Sequence, residues 1–141
     1  MNRSIELDKV PLARKHNLSV MAYSPLAEGL LSGKYIHSIP TGSRATYSRG
    51  LKRVLSERKL NPVQELSTLA KEKGVSLPQL AIAWLLHKQK DLGVSVIPIL
   101  GVSSREQLLD NLQALDIQLT NEDMSRVEEI TSSIQLTEIS G

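Results

Sequence analysis

The sequence predicts an α/β fold in which short parallel strands alternate with helices. Two apolar runs, residues 18–23 and 95–100, have the length and composition of buried strands. Helical patterns separate them, and a strand–helix–strand connection requires parallel pairing with a right-handed crossover. Two parallel strands alone would leave both sheet edges unpaired and the inner apolar face uncovered. Residues 1–141 are therefore predicted to form one α/β unit that is incomplete as an isolated chain.

The first third of the chain is predicted to contain a helix, a strand and a long loop. Ile5 to His16 has an amphipathic pattern typical of a helix, which Pro11 is expected to break or restart. Leu18 to Tyr23 forms the first strand and ends at a Ser-Pro pair. Residues 24–50 are rich in glycine and proline and favour a long loop with room for one short helical turn. A loop of this length in a compact domain is usually either functional or disordered.

The middle of the chain is predicted to be helical. Leu51 to Lys59 and Pro62 to Lys73 form two helices, and a glycine ends the second. Ser76, with Gln79 three residues later, has the capping-box pattern of a helix start. The helix that follows is apolar on almost all sides, includes Trp84, and is expected to be buried.

The last part of the chain contains the second strand and two helices. The strand at 95–100 turns through Gly101 into a helix predicted over Ser104 to Leu115. Thr120 caps a final helix that has Asp123 at its third position. The inward side chains of this helix are Val127 and Ile130. The residues after it are expected to fray.

Composition narrows the range of functions. A formal net charge of +2 is too small to indicate a nucleic-acid partner, and the basic residues are not interleaved with aromatic side chains. No apolar run approaches the roughly 20 residues of a membrane-spanning helix. The sequence has no cysteine, which excludes disulfide and thiolate chemistry and is consistent with a cytoplasmic protein.

The turn from the second strand into its helix is a candidate anion site. Gly101 ends the strand, and the hydroxyl residues Ser103 and Ser104 precede the apolar-periodic helix. Free backbone N–H groups and the positive end of the helix dipole favour phosphate at such a place. Taken alone, the same residues are more often only a good helix N-cap without a ligand than a phosphate site.

Three motifs, in order along the chain, resemble the aldo-keto reductase family. Tyr-Ser-Pro-Leu-Ala-Glu-Gly-Leu-Leu-Ser-Gly-Lys-Tyr at 23–35 resembles the loop after that family's seventh strand. Leu-Pro-Gln-Leu-Ala-Ile-Ala-Trp-Leu-Leu at 77–86 resembles the next long helix, and Leu-Gly-Val-Ser-Ser-Arg-Glu-Gln-Leu-Leu-Asp-Asn-Leu at 100–112 the eighth-strand cofactor loop. The resemblance runs from about Arg3 to Ile130. The loop around residues 39–45 is similar to the branch that includes potassium-channel β subunits and their bacterial relatives.

This resemblance implies a fold and a cofactor. The chain would be the C-terminal portion of a (β/α)8 TIM barrel, with the last two parallel strands, their helices and a C-terminal helix. The cofactor would be NADP(H). Tyr23 would stack on the nicotinamide ring. Ser24, Pro25, Leu26 and Ala27 would line the pyrophosphate and ribose, Lys34 and Arg44 would supply positive charge, and Gly101, Ser103, Gln107, Asp110 and Asn111 would hold the adenosine 2′-phosphate and adenine end.

Two positions depart from the family pattern. Gln107 stands where many members have arginine, and this difference removes a bidentate phosphate contact. The resemblance to the channel-β branch implies glutamine at this position in that branch too. Asp110 replaces the usual glutamate and is one methylene shorter, so its contact is expected to be weaker.

The resemblance assigns no catalytic residue to this chain. The family's tetrad of aspartate, tyrosine, lysine and histidine belongs to earlier strands, and no pair among His16, His37 and His87 has metal-ligand spacing. We expect structural or solvent roles for these histidines.

Two functions remain open. The first is the cofactor-binding portion of an NADP(H)-dependent oxidoreductase that reduces aldehydes or ketones. Its partners would be NADPH, the carbonyl substrate, and a missing N-terminal barrel half or a second copy. The alternative is a non-catalytic NADP(H)-binding or regulatory module, truncated or one half of a two-chain barrel. A third possibility is a reading frame whose product does not fold.

Overall fold

The structure, a computed structural model, describes residues 4–48, 51, 55 and 57–132. The helices are α1 (Lys9–Lys15), α2 (Glu57–Glu72), α3 (Leu77–Leu92), α4 (Arg105–Leu112) and α5 (Asn121–Ser132), and the strands are β1 (Val20–Tyr23) and β2 (Val96–Ile99). Short 3-10 turns occur at Ser4–Glu6, Ala27–Ser32, Arg44–Thr46 and Gln113–Leu115. No helix in these described ranges is long and apolar enough to cross a membrane.

The strands β1 and β2 pair in parallel, as the sequence predicts. Their register runs from Val20 opposite Val96 to Tyr23 opposite Ile99. Both strands are shorter than the predicted runs, although the backbone N–H of Val20 still donates to the carbonyl of Ser95 at 2.8 Å. Helices connect the strands, so β1, α2, α3 and β2 form a crossover unit of the kind found in parallel α/β folds.

The two faces of this sheet have different surroundings. One face packs on α1 and the end of α3, where Val10, Ala13, Val94 and Val96 are buried. The other face carries alternate residues of both strands, because successive side chains of a strand point to opposite sides. These are Met21, Tyr23, Ile97 and Ile99, with exposed fractions of 66%, 81%, 48% and 44%. The sheet therefore has the uncovered apolar face expected of an incomplete fold.

The main core lies between helices rather than on the sheet. The 3-10 turn at 27–32 contributes Leu30 and Leu31 to it, and α3 contributes Trp84, only 5% exposed, which confirms the predicted burial of that helix. Buried side chains from α2, α3 and α5 make up most of the remainder: Val63, Leu66, Leu69, Ala70, Leu77, Leu80, Ala81, Ile82, Ala83 and Val127.

Helix α1 begins later than the sequence pattern suggests. Asp8 is its N-cap, and the Asp8 carboxylate accepts a hydrogen bond from the backbone N–H of Lys9 at 2.7 Å. Pro11 therefore lies in the first turn, where the missing N–H removes no helical hydrogen bond. The break predicted at Pro11 is therefore wrong: α1 continues through Pro11, and the interruption lies between the 3-10 turn Ser4–Glu6 and Lys9.

The prediction of two separate helices, over 51–59 and 62–73, is wrong for residues 57–72. Glu57–Glu72 is one helix that contains Pro62 at its sixth position. Because Val63, Leu66 and Leu69 bury one face of α2 against the core, packing outweighs the hydrogen bond that Pro62 lacks. Residues 52–54 and 56 of the predicted first helix lie outside the described residues.

The helix starts in the second half are as predicted. Ser76 and Gln79 form a reciprocal capping box at α3, and Ser104 caps α4. Thr120 and Asp123 form the same reciprocal pair of hydrogen bonds at the start of α5. The Asp123 N–H donates to Thr120 Oγ1 at 3.2 Å, and the Thr120 N–H donates to Asp123 Oδ2 at 2.8 Å. The segment 133–141, predicted to fray, lies outside the described residues.

Candidate functional site

The carboxyl ends of β1 and β2 meet at one edge of the sheet. Tyr23 and Ile99 are the last pair of the register, so the loops beginning at Ser24 and Leu100 leave the sheet side by side. Neighbouring strands are about 4.8 Å apart. Ligands of parallel α/β folds bind beyond this end of the strands. The structure thus brings together the two segments that the sequence singles out.

The loop after β1 has an unusual backbone. Ser24, Ala27 and Glu28 have φ values of 48°, 48° and 58°, in the left-handed region that non-glycine residues rarely adopt. Such a conformation costs an L-residue about 1–2 kcal/mol. Hydrogen bonds from Ala27 N–H to the Ser24 carbonyl (2.8 Å) and from Gly29 N–H to the Leu26 carbonyl (2.9 Å) maintain it. Strained backbone of this kind clusters at functional sites.

The rest of this loop carries the predicted positive charge. Lys34 is exposed, and its Nζ lies 5.0 Å from the centroid of the Tyr35 ring. Arg44 begins the turn Arg44–Thr46, but its side chain lies outside the described atoms. The hydroxyls of Tyr35 and Ser43 are buried and have no hydrogen-bond partner among the residues that the structure describes. The loop therefore contains a cation and two hydroxyl groups without a partner in these described ranges.

The loop after β2 is exposed and small. Gly101 has no positive φ, and apart from its two chain neighbours no atom of the described residues lies within 4 Å of the position where a Cβ would be. The Ser103 backbone N–H and hydroxyl both donate to Gln107 Oε1, at 2.9 and 3.1 Å. The Ser104 hydroxyl accepts from Gln107 N–H at 3.3 Å. The side-chain oxygen of Gln107 thus accepts from both the backbone N–H and the hydroxyl of Ser103, the residue that the resemblance assigns to phosphate binding.

Glu106 is a charged residue of this turn that the sequence reasoning did not single out. Hydrogen bonds from its own backbone N–H and from the Ser104 side chain hold the pKa of the Glu106 carboxyl below its usual 4.5. A carboxylate in the first turn is favourable to the helix dipole. The sequence Ser104-Arg-Glu106 could have pointed to Glu106, because acidic residues are enriched in the first turn of a helix.

Asp110 and Asn111 follow Gln107 by three and four positions on α4, so the three residues share one side of the helix. Both Asp110 carboxylate oxygens accept hydrogen bonds from α3: Oδ2 from the Ser76 hydroxyl at 3.0 Å, and Oδ1 from the Gln79 amide at 2.7 Å. Asn111 is only 5% exposed. These two residues are therefore directed toward the protein interior, whereas Gly101 and Ser103 are exposed at the sheet edge.

The three histidines lie in different surroundings. His87 uses both ring nitrogens on the backbone: Nδ1 lies 2.9 Å from the Ala83 carbonyl, and Nε2 accepts from Leu119 N–H at 3.3 Å. His16 and His37 are exposed. Within the part of the chain that the structure describes, no group of three His, Cys, Asp or Glu side chains is placed to hold a metal ion.

Comparison with known proteins identifies relatives of the whole described fold. A family model described as the aldo/keto reductase family matches residues 2–132. The L-glyceraldehyde 3-phosphate reductase of Escherichia coli O157:H7 is 34% identical, over 82% of this chain and 34% of the relative. The solved structure of a glycerol dehydrogenase from Gluconobacter oxydans superposes with a TM-score of 0.73 at 29% identity, over 93% of this chain and 39% of that one.

These matches establish both the family and the architecture. The chain spans about a third of the length of the curated relative, and the two parallel strands with their helices correspond to part of a TIM barrel. The incomplete sheet, with its open edges and uncovered face, is explained by that correspondence. The chain, matched over nearly all of its length, belongs to the aldo/keto reductase family.

Proposed function

We propose that this chain supplies the NADP(H)-binding portion of an aldo-keto reductase, an oxidoreductase that reduces aldehydes and ketones to alcohols. The observation that carries the proposal is the pairing of Tyr23 with Ile99, which places the two predicted cofactor loops at one edge of the sheet. Loops after the last strands of a TIM barrel frequently hold phosphate.

Each loop has a distinct part in this proposal. Tyr23, 81% exposed at the end of β1, offers its ring to the nicotinamide. Ser24, Pro25, Leu26 and Ala27 line the pyrophosphate and ribose, and Lys34 and Arg44 neutralise negative charge. Gly101, Ser103, Gln107, Asp110 and Asn111 form the end for adenosine and its 2′-phosphate.

The residues present fit such a cofactor. The space beside Gly101 allows a ligand to approach the backbone. The buried hydroxyls of Tyr35 and Ser43, in the loop that also carries Lys34, have no partner within the described part of the chain. When bound, the cofactor would supply the hydride, and this chain's own residues would bind and orient it.

Carbonyl reduction also requires a proton donor, and the proposal assigns that donor to another polypeptide segment. The chain spans about a third of its curated relative. The resemblance implies that the catalytic aspartate, tyrosine, lysine and histidine belong to earlier strands, and the proposal adopts this expectation. The uncovered face formed by Met21, Tyr23, Ile97 and Ile99 is where those strands would pack. We therefore propose that activity requires a missing N-terminal barrel half.

The test is a titration of the purified chain with NADPH, followed by fluorescence, with circular dichroism and molecular mass measured on the same sample. A folded chain that binds NADPH supports the proposed cofactor site formed by the loops after β1 and β2. A folded chain without affinity for NADPH refutes it. Reduction of a generic aldehyde only after addition of a family N-terminal half would support the enzyme, and reduction by the chain alone would contradict our assignment of the donor.

A second candidate is a non-catalytic NADP(H)-binding module that folds by itself. The main core favours it, because that core closes between α2, α3 and α5 without using the open face of the sheet. This candidate requires a monomeric, cooperatively folded chain that binds NADPH and gains no reductase activity when the N-terminal half is added.

A further inference from the structure

The ring of Tyr35 lies beside a cation of the loop that follows β1. The Nζ atom of Lys34 is 5.0 Å from the centroid of the Tyr35 ring, within the distance at which an aromatic face attracts a cation. We propose that Tyr35 is a positioning residue, whose ring holds the Lys34 ammonium in place for an anionic group of the nucleotide. The inference rests on the proposed function, because Lys34 belongs to the proposed cofactor site.

The Tyr35 ring is itself fixed in the protein. Tyr35 is only 3% exposed and forms a small buried cluster with Ala45 and Leu51, which are 0% and 2% exposed. Both of these residues come from later parts of the chain, so the cluster closes the long loop on itself. The ring is therefore a fixed surface against which the long side chain of a lysine can rest.

Gly29 leaves room for the end of the Lys34 side chain beside this ring. Gly29 has φ +93°, and a Cβ built there would lie 3.7 Å from Lys34 Cε, 3.8 Å from Lys34 Nζ and 3.8 Å from Tyr35 Cε2. The end of Lys34 and the edge of the Tyr35 ring therefore meet at the same backbone position. The bend of the backbone at Gly29 and the buried ring together define where the ammonium lies.

An aromatic ring holds a cation differently from a carboxylate. The attraction of the ring face leaves the positive charge uncompensated, whereas an ion pair neutralises it. Among the residues that the structure describes, the ion pairs involve the cations Lys73, Lys88 and Arg126, and none involves Lys34. The exposed Lys34 ammonium is therefore positioned by Tyr35 and still available to a phosphate.

Positioning before binding lowers the cost of binding. A lysine side chain has many rotamers, and a ligand that must immobilise it loses the corresponding entropy. Contact with the Tyr35 ring restricts Lys34 before the nucleotide arrives, so part of this cost is removed. Loss of the ring should therefore weaken nucleotide binding although the Lys34 charge remains.

The experiment compares Tyr35→Leu with Tyr35→Phe in the full chain, with NADPH as the probe and fluorescence as the readout. Leucine removes the aromatic face, whereas phenylalanine keeps the face and removes only the hydroxyl. An exposed cation–π contact is worth up to a factor of about five, so NADPH binding should be about fivefold weaker in Tyr35→Leu and at most about twofold weaker in Tyr35→Phe. Equal losses in the two variants would overturn the proposal.

A double-mutant cycle with Lys34→Gln separates positioning from a general effect on the loop. If Tyr35 acts through Lys34, Tyr35→Leu should not weaken NADPH binding further once Lys34 has been replaced. An equal loss from Tyr35→Leu in both backgrounds would contradict the proposal, since the ring would then act independently of the lysine.

The matched control for stability is Val10→Ala, in the separate buried cluster between α1 and the sheet. Val10 is 2% exposed, so the substitution should lower the midpoint of urea unfolding, and NADPH affinity should be unchanged. If Val10→Ala weakened NADPH binding as much as Tyr35→Leu at a similar loss of stability, general destabilisation would explain both and the proposal would fail.

A second measurement needs no nucleotide. The ring current of Tyr35 should move the NMR signals of the Lys34 ε-methylene protons upfield of those of an exposed lysine such as Lys15. This shift should persist in Tyr35→Phe and vanish in Tyr35→Leu, and identical Lys34 signals in all three proteins would overturn the proposed contact. If the unmodified chain bound no NADPH while these signals changed as expected, the proposed function would fail and the positioning of Lys34 by the ring would still stand.

Discussion

Tyr23 and Ile99 are the final pair of the parallel register, and both side chains lie on the uncovered face of the sheet. The same pair therefore marks two boundaries of the molecule. Beyond it along the chain are the two loops proposed to hold the cofactor. On its exposed side is the face that the rest of a barrel would cover. Cofactor binding and barrel completion are thus expected at adjoining surfaces.

Gly101 offers a test that separates binding from folding. The methyl group of Gly101→Ala would meet no atom of the described residues within 4 Å beyond the two chain neighbours, and the position requires no positive φ, so stability should be unchanged or up to about 1 kcal/mol higher. The added methyl group would occupy space proposed for the nucleotide, and NADPH affinity should fall. Calorimetry and NADPH titration of the same sample measure both effects.

The comparison variant is Gly29→Ala, at φ +93°, where alanine is strained although the nearest atom is 3.7 Å away. We expect it to lose about 1–2 kcal/mol of stability. If Gly101→Ala were the less stable of the two variants, the assignment of Gly101 to ligand access would be incorrect.

Asp123 should contribute to the free energy of unfolding, and this contribution should be lost in acid. Burial by itself would raise the pKa of the Asp123 carboxyl, but hydrogen bonds from Lys73 at 2.6 Å and from Thr120 outweigh it and hold the pKa below its usual 3.8. A lowered folded-state pKa contributes stability above pH 3.8, and this contribution disappears as pH falls through the folded value.

Asp123→Asn should therefore be less stable than the unmodified chain by about 1–2 kcal/mol near neutral pH, and the difference should narrow in acid. Urea unfolding at a series of pH values measures it. A difference that stayed constant down to strongly acid pH would rule out the Asp123 charge as its source.

Arg14 connects α1 to the end of α3. Its Nη2 and Nε donate to the Leu92 carbonyl at 2.5 and 3.2 Å, which satisfies an acceptor at the carboxyl end of α3. Arg14→Ala should lower the unfolding free energy by about 1 kcal/mol. Lys15→Ala, at the next and exposed position, is the control and should change little. Equal effects of the two substitutions in thermal unfolding would argue against the Leu92 contact.

The uncovered face of the sheet should tolerate polar residues. Met21→Thr together with Ile97→Thr replaces side chains that are 66% and 48% exposed, so stability should change by about 0.5 kcal/mol or less. Binding of a hydrophobic dye should decrease. Val96→Thr, on the buried face of the same strand, should instead lose at least about 1 kcal/mol. A large loss for Met21→Thr and Ile97→Thr would mean that the chain covers this face itself.

Local sequence patterns predicted most of the elements. The capping boxes at Ser76 and Thr120 and the N-cap at Ser104 depend on hydrogen bonds between residues three apart, so a short segment contains all the information. The wrong prediction of a helix break near Pro62 arose because interactions between distant residues, not local ones, decided the structure there. Burial of Val63 and Leu66 against α3 kept a helix continuous that local preference would have broken.

The candidate cofactor site stays a prediction, but the structure shows which of its parts lie close together. Motif order singled out the loops after both strands, and parallel pairing brings the starting points of these loops together. The partners of individual side chains depend on more distant groups. Asp110 accepts hydrogen bonds from Ser76 and Gln79, which are more than thirty positions away along the chain.

By itself, the sequence determined the order of strands and helices, the helix caps, the incompleteness of the sheet and the family resemblance. Only the tertiary structure decided the register of Tyr23 on Ile99, the continuity of α2 and the partners of Asp110. The physical reason is the range of the interactions. Turns, caps and periodicity involve neighbours along the chain, whereas register, burial and buried hydrogen bonds depend on residues that meet only when the chain is folded.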